Sequence, residues 1–121
     1  MGEKPHKRLL AWQRSMDLVL LIYDLTKMFP REEVYGLTSQ LRRAAVSVPS
    51  NISEGAAGRS PEQFRNFLAI AIGSLNEINT QLEISVRVGY LPELRCEEAQ
   101  RLVDECLALT YGLKKSIGRA Y

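Results

Sequence analysis

An all-α fold, an antiparallel up-down-up-down four-helix bundle, is what this sequence predicts, on three observations. Apolar residues recur three and four apart in four separate stretches. The punctuation between those stretches is short, and short connections make antiparallel neighbours. The 121 residues, 45% hydrophobic and 25% charged, have the length and balance of one globular domain, 1–121, with no repeat, low-complexity tract or linker to divide it.

The first helix is expected over about 9–28. Trp12, Met16, Val19 and Tyr23 form one apolar stripe, and Leu18, Leu21, Ile22 and Leu25 a second. A helix apolar on two sides is buried on several, which in so small a bundle points to a partner subunit; the alternative is that Val19 and Tyr23 merely flank the core. Pro30 ends the helix, because a residue before proline avoids the αR region. The second helix, about 37–57, turns Leu37, Leu41, Ala44, Ala45, Val48 and Ile52 inward, with Pro49 inside the pattern. Proline there removes a donor and crowds the carbonyl of Ala45. The stripe keeps its phase across Pro49, so a kink is expected, with a break capped by Ser47 as the alternative.

Gly55 and Gly58 close that helix, and Ser60-Pro61-Glu62-Gln63 starts the next with an N-cap serine, a proline at the first helical position and a capping-box glutamine. The third helix, about 61–88, carries Phe64, Leu68, Ala71, Leu75, Ile78 and Leu82 in a heptad seam. Gly89 supplies a left-handed cap before Tyr90-Leu91-Pro92. The fourth, about 93–117, points Ala99, Leu102, Val103, Cys106, Leu109, Leu113 and Ile117 inward.

Composition excludes most chemistry. The longest apolar run, Leu18 to Tyr23, is far short of the ~20 residues of a bilayer span, and the N-terminus has no signal-peptide core, so a soluble cytoplasmic protein is expected. Cys96 and Cys106 lie ten apart on one helix, about 15 Å along its axis, and cannot bridge each other within it. Cys106 reads as a small hydrophobe; Cys96 sits near a helix N-terminus, which can lower a thiol pKa. The one histidine, His6, falls in a tail expected to fray. A carboxylate-bridged di-iron site needs two Glu-x-x-His motifs, and bundle ribonucleases with Arg followed by His need an Arg before His6; neither exists here. No zinc spacing and no phosphate-binding glycine loop occurs. Glu54, Glu77 and Glu83 read as a solvated face. No catalytic residue, metal site or cofactor is expected.

The formal charge of +2 conceals a segregation. In the expected topology, one end gathers Lys4, Lys7, Arg8, Arg14, Arg59, Arg65, Lys114, Lys115 and Arg119: nine cations against Glu3, Glu54 and Glu62, net +6. The other end sets Lys27, Arg31, Arg87 and Arg95 against seven acids (Asp24, Glu32, Glu33, Glu83, Glu93, Glu97, Glu98), net −3. Helix dipoles account for cations at the end of the fourth helix, but not for Lys4, Lys7, Arg8 and Arg14 at a helix N-terminus. A polyanion is the functional reading, a solvated basic end the plain one. Trp12 and Tyr121 are the only aromatics expected there, so backbone or shape recognition of RNA or DNA fits better than base stacking.

Two further surfaces stand out. Arg43, Ser47, Ser50, Asn51 and Glu54 form a polar edge on the second helix, and Asn66, Ala69, Gly73, Asn76 and Thr80 a stripe on the third. Glycine within a helix costs about 1 kcal/mol relative to alanine, so Gly73 points to a close approach, helix to helix or protomer to protomer, or less readily to a ligand groove. With Asn66 and Ala69 it joins Trp12, Met16, Val19 and Tyr23 as the expected oligomer interface.

Longer strings carry a resemblance. Ala11-Trp12-Gln13, Tyr23-Asp24-Leu25-Thr26, Phe29-Pro30, Tyr35-Gly36-Leu37 and above all Gln40 to Ile52 with Glu54-Gly55 resemble the four helix bundle protein family, also called the 23S rRNA-intervening sequence protein family. Phe67-Leu68, Ile70-Ala71, Gly73-Ser74-Leu75 and Gly89-Tyr90-Leu91 extend the likeness over roughly residues 10–92. The resemblance implies an up-down bundle assembled as a homopentamer, some members being encoded within insertions in the large ribosomal RNA gene. The family is also similar to the accessory variability proteins of diversity-generating retroelements, basic pentameric bundles that bind nucleic acid and a reverse transcriptase. It implies no catalytic residues. The leading expectation is therefore a non-enzymatic homo-oligomer that binds RNA or other nucleic acid through its basic end. The alternative is a scaffold that recruits a protein partner by the edge of its second helix.

Overall fold

The computed structural model describes residues 4–119, with side chains as far as Ile117. Four helices, α1 (Leu10–Thr26), α2 (Leu37–Gly55), α3 (Pro61–Arg87) and α4 (Glu93–Arg119), account for most of the chain, with short 3-10 turns at Pro5–Arg8 and Arg31–Glu33. Consecutive helices pack side by side and α4 closes against α1. Among the described residues the diagonal pairs, α1 with α3 and α2 with α4, make no Cα approach within 8 Å, so the four helices stand in a square. Cross-helix bonds run 14 to 105 and 24 to 95 between α1 and α4, and 47 to 74 between α2 and α3. Gly55 meets Phe64 and Phe67 at the other end of that second pair. Numbers rise on one helix as they fall on its neighbour, which is the antiparallel sense.

The core lies where the apolar stripes converge. Leu18 and Ile22 of α1, Leu41, Val48 and Ile52 of α2, Leu68, Leu75, Ile78 and Leu82 of α3, and Val103 of α4 are completely buried. Each side chain of that size contributes about 1.5–3 kcal/mol relative to exposure. The buried hydroxyls of Thr26, Ser85 and Thr110 donate to carbonyls one turn back on their own helices, so they enter the core satisfied.

Helix ends follow local chemistry. At Ser60 both halves of the capping box form: the hydroxyl accepts from the Gln63 amide at 3.2 Å and the Gln63 side chain accepts from the Ser60 amide at 3.1 Å. At the far end of α3, Gly89 takes φ +86°. Tyr90 then donates to Ser85 at 2.9 Å and Gly89 to Val86 at 3.0 Å, the two bonds of a Schellman motif.

The structure corrects three expectations. α1 stops at Thr26, two residues earlier than expected, because Met28 and Phe29 donate to Leu25 and Thr26 in tighter i to i−3 bonds before Pro30. The helix-two alternative of a break at Ser47 does not occur: α2 runs unbroken through Pro49, whose ring is buried. The N-terminal tail is not frayed over Pro5–Arg8. It packs against α1 and α2, His6 meets the Trp12 ring edge-on at 5.0 Å, and Gln13 donates to the Lys7 carbonyl at 2.8 Å.

The Arg31–Glu33 turn is tied in by Glu33, which no sequence signal marked. One carboxylate oxygen accepts from the Leu37 amide at 3.0 Å, capping α2, and the other accepts from the Tyr90 hydroxyl at 2.9 Å. These bonds, the backbone one first, hold the Glu33 carboxyl below its ordinary value, and the same contact raises the Tyr90 phenol. Phe29, packed 5.6 Å from the Tyr90 ring, anchors the turn from beneath.

Candidate nucleic-acid interface

The antiparallel arrangement brings the start of α1, the α2–α3 turn and the end of α4 to one end of the molecule. Extending the α1–α4 register past Leu10 sets Lys114 and Lys115 level with the Pro5–Arg8 turn. Nine basic positions were assigned to this end, and the structure divides them into three groups.

Two are committed within the protein. Arg14 donates to both Glu105 oxygens, at 3.0 and 2.8 Å, and also to Asp17, clamping α1 to α4. Hydrogen bonding to Glu105 raises the guanidinium pKa and correspondingly lowers that of the carboxyl. The unfavourable position of Arg14 near a helix N-terminus thus has a structural explanation that needs no ligand. Arg59 donates to the Glu54 carboxylate at 2.7 Å and to the Glu54 carbonyl at 2.9 Å, with its guanidinium 4.9 Å from the centre of the Phe67 ring. It locks the α2–α3 turn. Just beneath, a Cβ on Gly55 would fall 2.7 Å from Phe64 and 3.0 Å from Phe67, so α2 and α3 approach here as closely as only glycine allows.

A second group lies against the α1–α2 side. Lys4, Lys7 and Arg8 are exposed on or beside the N-terminal turn, and no acid among the described residues pairs with Lys4 or Lys7. The third group is on the α3–α4 side. Arg65, Lys114 and Lys115 line an open groove of about 500 Å³ together with Tyr111 and Gly112. No acid among the described residues pairs with these three cations either. The side chain of Arg119, like Glu3, lies outside the described residues.

Aromatic placement differs from expectation. Trp12 is half-buried against His6 in the α1–α2 groove, and Tyr121 lies outside the described residues. The exposed aromatic among the described residues of the basic end is Tyr111, at 54%. It was missed because it lies outside the inward stripe of α4; its signal is that a large ring sits one residue past buried Thr110, on the outward side of α4.

The expected interface residues fall on two opposite sides. Trp12, Met16 and Val19 line a groove of about 330 Å³ between α1 and α2, with Val46 and Pro49 across it. Tyr23 and Val46 continue into an adjoining hollow of about 400 Å³ toward Val34 and Arg42, whose guanidinium lies 4.5 Å over the Tyr23 ring. Met16 and Tyr23 are each 39% exposed, so this stripe lacks a cover within the chain. Asn66, Ala69 and Gly73 are exposed on α3, across the bundle diagonal from α1, beside Ile70 at 52% exposure. A Cβ on Gly73 would meet nothing within 4 Å, which removes the helix-to-helix explanation of that glycine within one protomer. The polar edge of α2 is split: Ser47 bonds Ser74 across to α3 at 2.9 Å and Asn51 turns back onto Ser47, whereas Arg43, Ser50 and Glu54 stay outside.

Both thiols are buried. Burial raises the Cys96 pKa, overriding the helix N-terminus that could have lowered it, and pushes Cys106 up to about 12. No described helix is long and apolar enough to cross a membrane, and no group of three described His, Cys, Asp or Glu side chains is placed to hold a metal ion.

Comparison with known proteins places the fold and the family. A protein of unknown function from the S23 ribosomal protein family of Bacteroides thetaiotaomicron has a crystal structure that superposes with a TM-score of 0.80. It is 22% identical, and the alignment covers 88% of this chain and 96% of that one, so the two share the fold. No curated protein matches the chain. The family model of the 23S rRNA-intervening sequence protein matches residues 7–112, from the N-terminal turn to the glycine in the α3–α4 groove, and the chain belongs to that family.

Proposed function

We propose that this chain is a non-catalytic, homo-oligomeric bundle that binds nucleic acid, RNA foremost, through its basic end in the cytoplasm. The observation that carries this reading is the set of cations at one end that no acid among the described residues pairs with: Lys4 and Lys7 on one side, Arg65, Lys114 and Lys115 on the other. A cluster that its own carboxylates leave unpaired is the electrostatic footprint of a polyanion site.

Oligomerisation supports the same reading. The α1–α2 groove and the α3 stripe are different patches, so joining one to the other is a head-to-tail contact, which makes a ring where the rotation between copies closes and a filament where it does not. A ring of five, as the family resemblance implies, would collect five copies of the basic end on one face. Pairing of Arg14 with Glu105 and Asp17, and of Arg59 with Glu54, lowers the field of this end below the sequence tally and narrows where phosphate contacts form.

The test is RNA retention in a mobility-shift series at increasing salt. The reading expects a complex at low salt that dissociates as salt rises, each phosphate contact adding about 0.7–0.9 to the slope of log K against log salt. No retained RNA at low salt, or retention indifferent to salt, would overturn it. A second reading, a scaffold for a protein partner, draws on exposed Tyr35 and Leu94 at the acidic end, 95% and 77% accessible, more than on the split edge of α2. Partner capture that survives reversal of Lys114 and Lys115 would favour it.

A further inference from the structure

The α3–α4 groove has more chemistry than a patch of positive charge. Its lining is Arg65 from the second turn of α3, and Tyr111, Gly112, Lys114 and Lys115 from the last turns of α4. Three cations and one exposed phenol ring share this groove, and no carboxylate among the described residues lines it. Gly112 lies within a helix, where glycine is unfavourable, and a Cβ there would meet nothing within 4 Å. Packing within the chain therefore gives no reason for the glycine; its effect is to leave the space beside Tyr111 open. The groove, about 500 Å³, falls within the range of about 300–1,000 Å³ common for small-ligand sites.

We infer that this groove takes an unpaired stretch of nucleic acid, with one base stacked on the Tyr111 ring over Gly112 and the flanking phosphates held by Arg65, Lys114 and Lys115. This rests on the nucleic-acid reading above and narrows it from polyanions in general to single strands. A duplex keeps its bases stacked on one another and offers only phosphates to the three cations. A single strand offers both phosphate and an open base face, which is the combination that aromatic-and-cation grooves bind. Lys4 and Lys7, lacking an exposed ring beside them, serve as phosphate contacts only.

Fluorescence anisotropy with a labelled, unstructured 12-nucleotide RNA and a blunt-ended 12-base-pair RNA duplex tests this on the full chain. Tyr111→Ala should weaken single-strand binding on the order of tenfold, with the salt slope unchanged and duplex binding unaltered. Tyr111→Phe should bind as the native chain does, and Gly112→Leu, which fills the space while favouring the helix, should reproduce Tyr111→Ala. Lys114→Ala with Lys115→Ala should instead lower the slope by about 0.7 for each lost contact. Equal loss on strand and duplex, or no loss with Tyr111→Ala, overturns the stacked-base assignment while leaving the nucleic-acid reading standing. Binding of AMP or inorganic phosphate as tight as the 12-mer would make the groove a small-anion site and overturn it too. Absence of binding to every RNA would remove both. Thermal melting of each variant shows that the fold is retained.

Discussion

Gly55 offers a sharp test of how α2 and α3 are joined beneath the basic end. Replacing it with alanine adds one methyl group, which in the native geometry falls 2.7 Å from Cδ1 of Phe64, 3.2 Å from its Cε1 and 3.0 Å from Cβ of Phe67. The Phe64 ring can swing aside, but the Phe67 Cβ is fixed to the α3 backbone and can yield only if the helices part. Overpacking of this kind costs about 1–3 kcal/mol. Alanine recovers up to ~1 kcal/mol of helix preference, less at this terminal position than mid-helix. The expected result is a net loss of about 1–2 kcal/mol, a fall in Tm on the order of 3–8 °C. Thermal and urea unfolding followed by far-UV circular dichroism, at one fixed protein concentration, would measure it. If Gly55→Ala unfolds at or above the native midpoint, the tight α2–α3 contact is wrong, and the placement of Arg59 over Phe67 would be in doubt with it.

Other outcomes follow from the same geometry. Gly73 has open space around it within one protomer. Gly73→Leu should therefore leave the helical signal intact while lowering the mass in light scattering if α3 seats on another copy; an unchanged mass would count against that seat. Neither Cys96 nor Cys106 should react with Ellman's reagent in the folded protein at neutral pH, burial holding both protonated, and both should react after unfolding. Glu33 titrates below its ordinary 4.5 in the folded state. Its stabilising effect is therefore complete above that value and is lost as pH falls through the folded pKa. Glu33→Gln should flatten this part of the acid-unfolding curve, and an unaltered curve would refute the cap on Leu37.

The helices were legible because their signals are local. Ser60 to Gln63 specify a cap within four residues, Gly89 a left-handed turn at one, and the α3 seam repeats over about five turns. Boundaries shifted where tighter hydrogen bonds, not apolar spacing, decide the end, as at Thr26. Contacts between elements were less visible. Glu105 lies 91 residues from Arg14, so nothing in the sequence around Arg14 announces that its charge is already matched. His6 docks only because Trp12 lies within reach beside the α1–α2 groove. Tyr111 becomes meaningful once α4 is laid antiparallel to α3, which sets Arg65 against Lys114 and Lys115. A ring outside the inward stripe of its own helix, next to a helical glycine, was the clue available.

Charge reversal at the two ends, compared on one RNA, tests the central claim most directly. Lys114→Glu with Lys115→Glu alters the basic end, and Lys27→Glu with Arg87→Glu alters the acidic end by the same formal charge at exposed sites. Binding through the basic end predicts that the first pair abolishes retention at moderate salt while the second leaves it nearly native. Equal losses from the two pairs would reduce the effect to net charge, and no loss from the first would contradict the account.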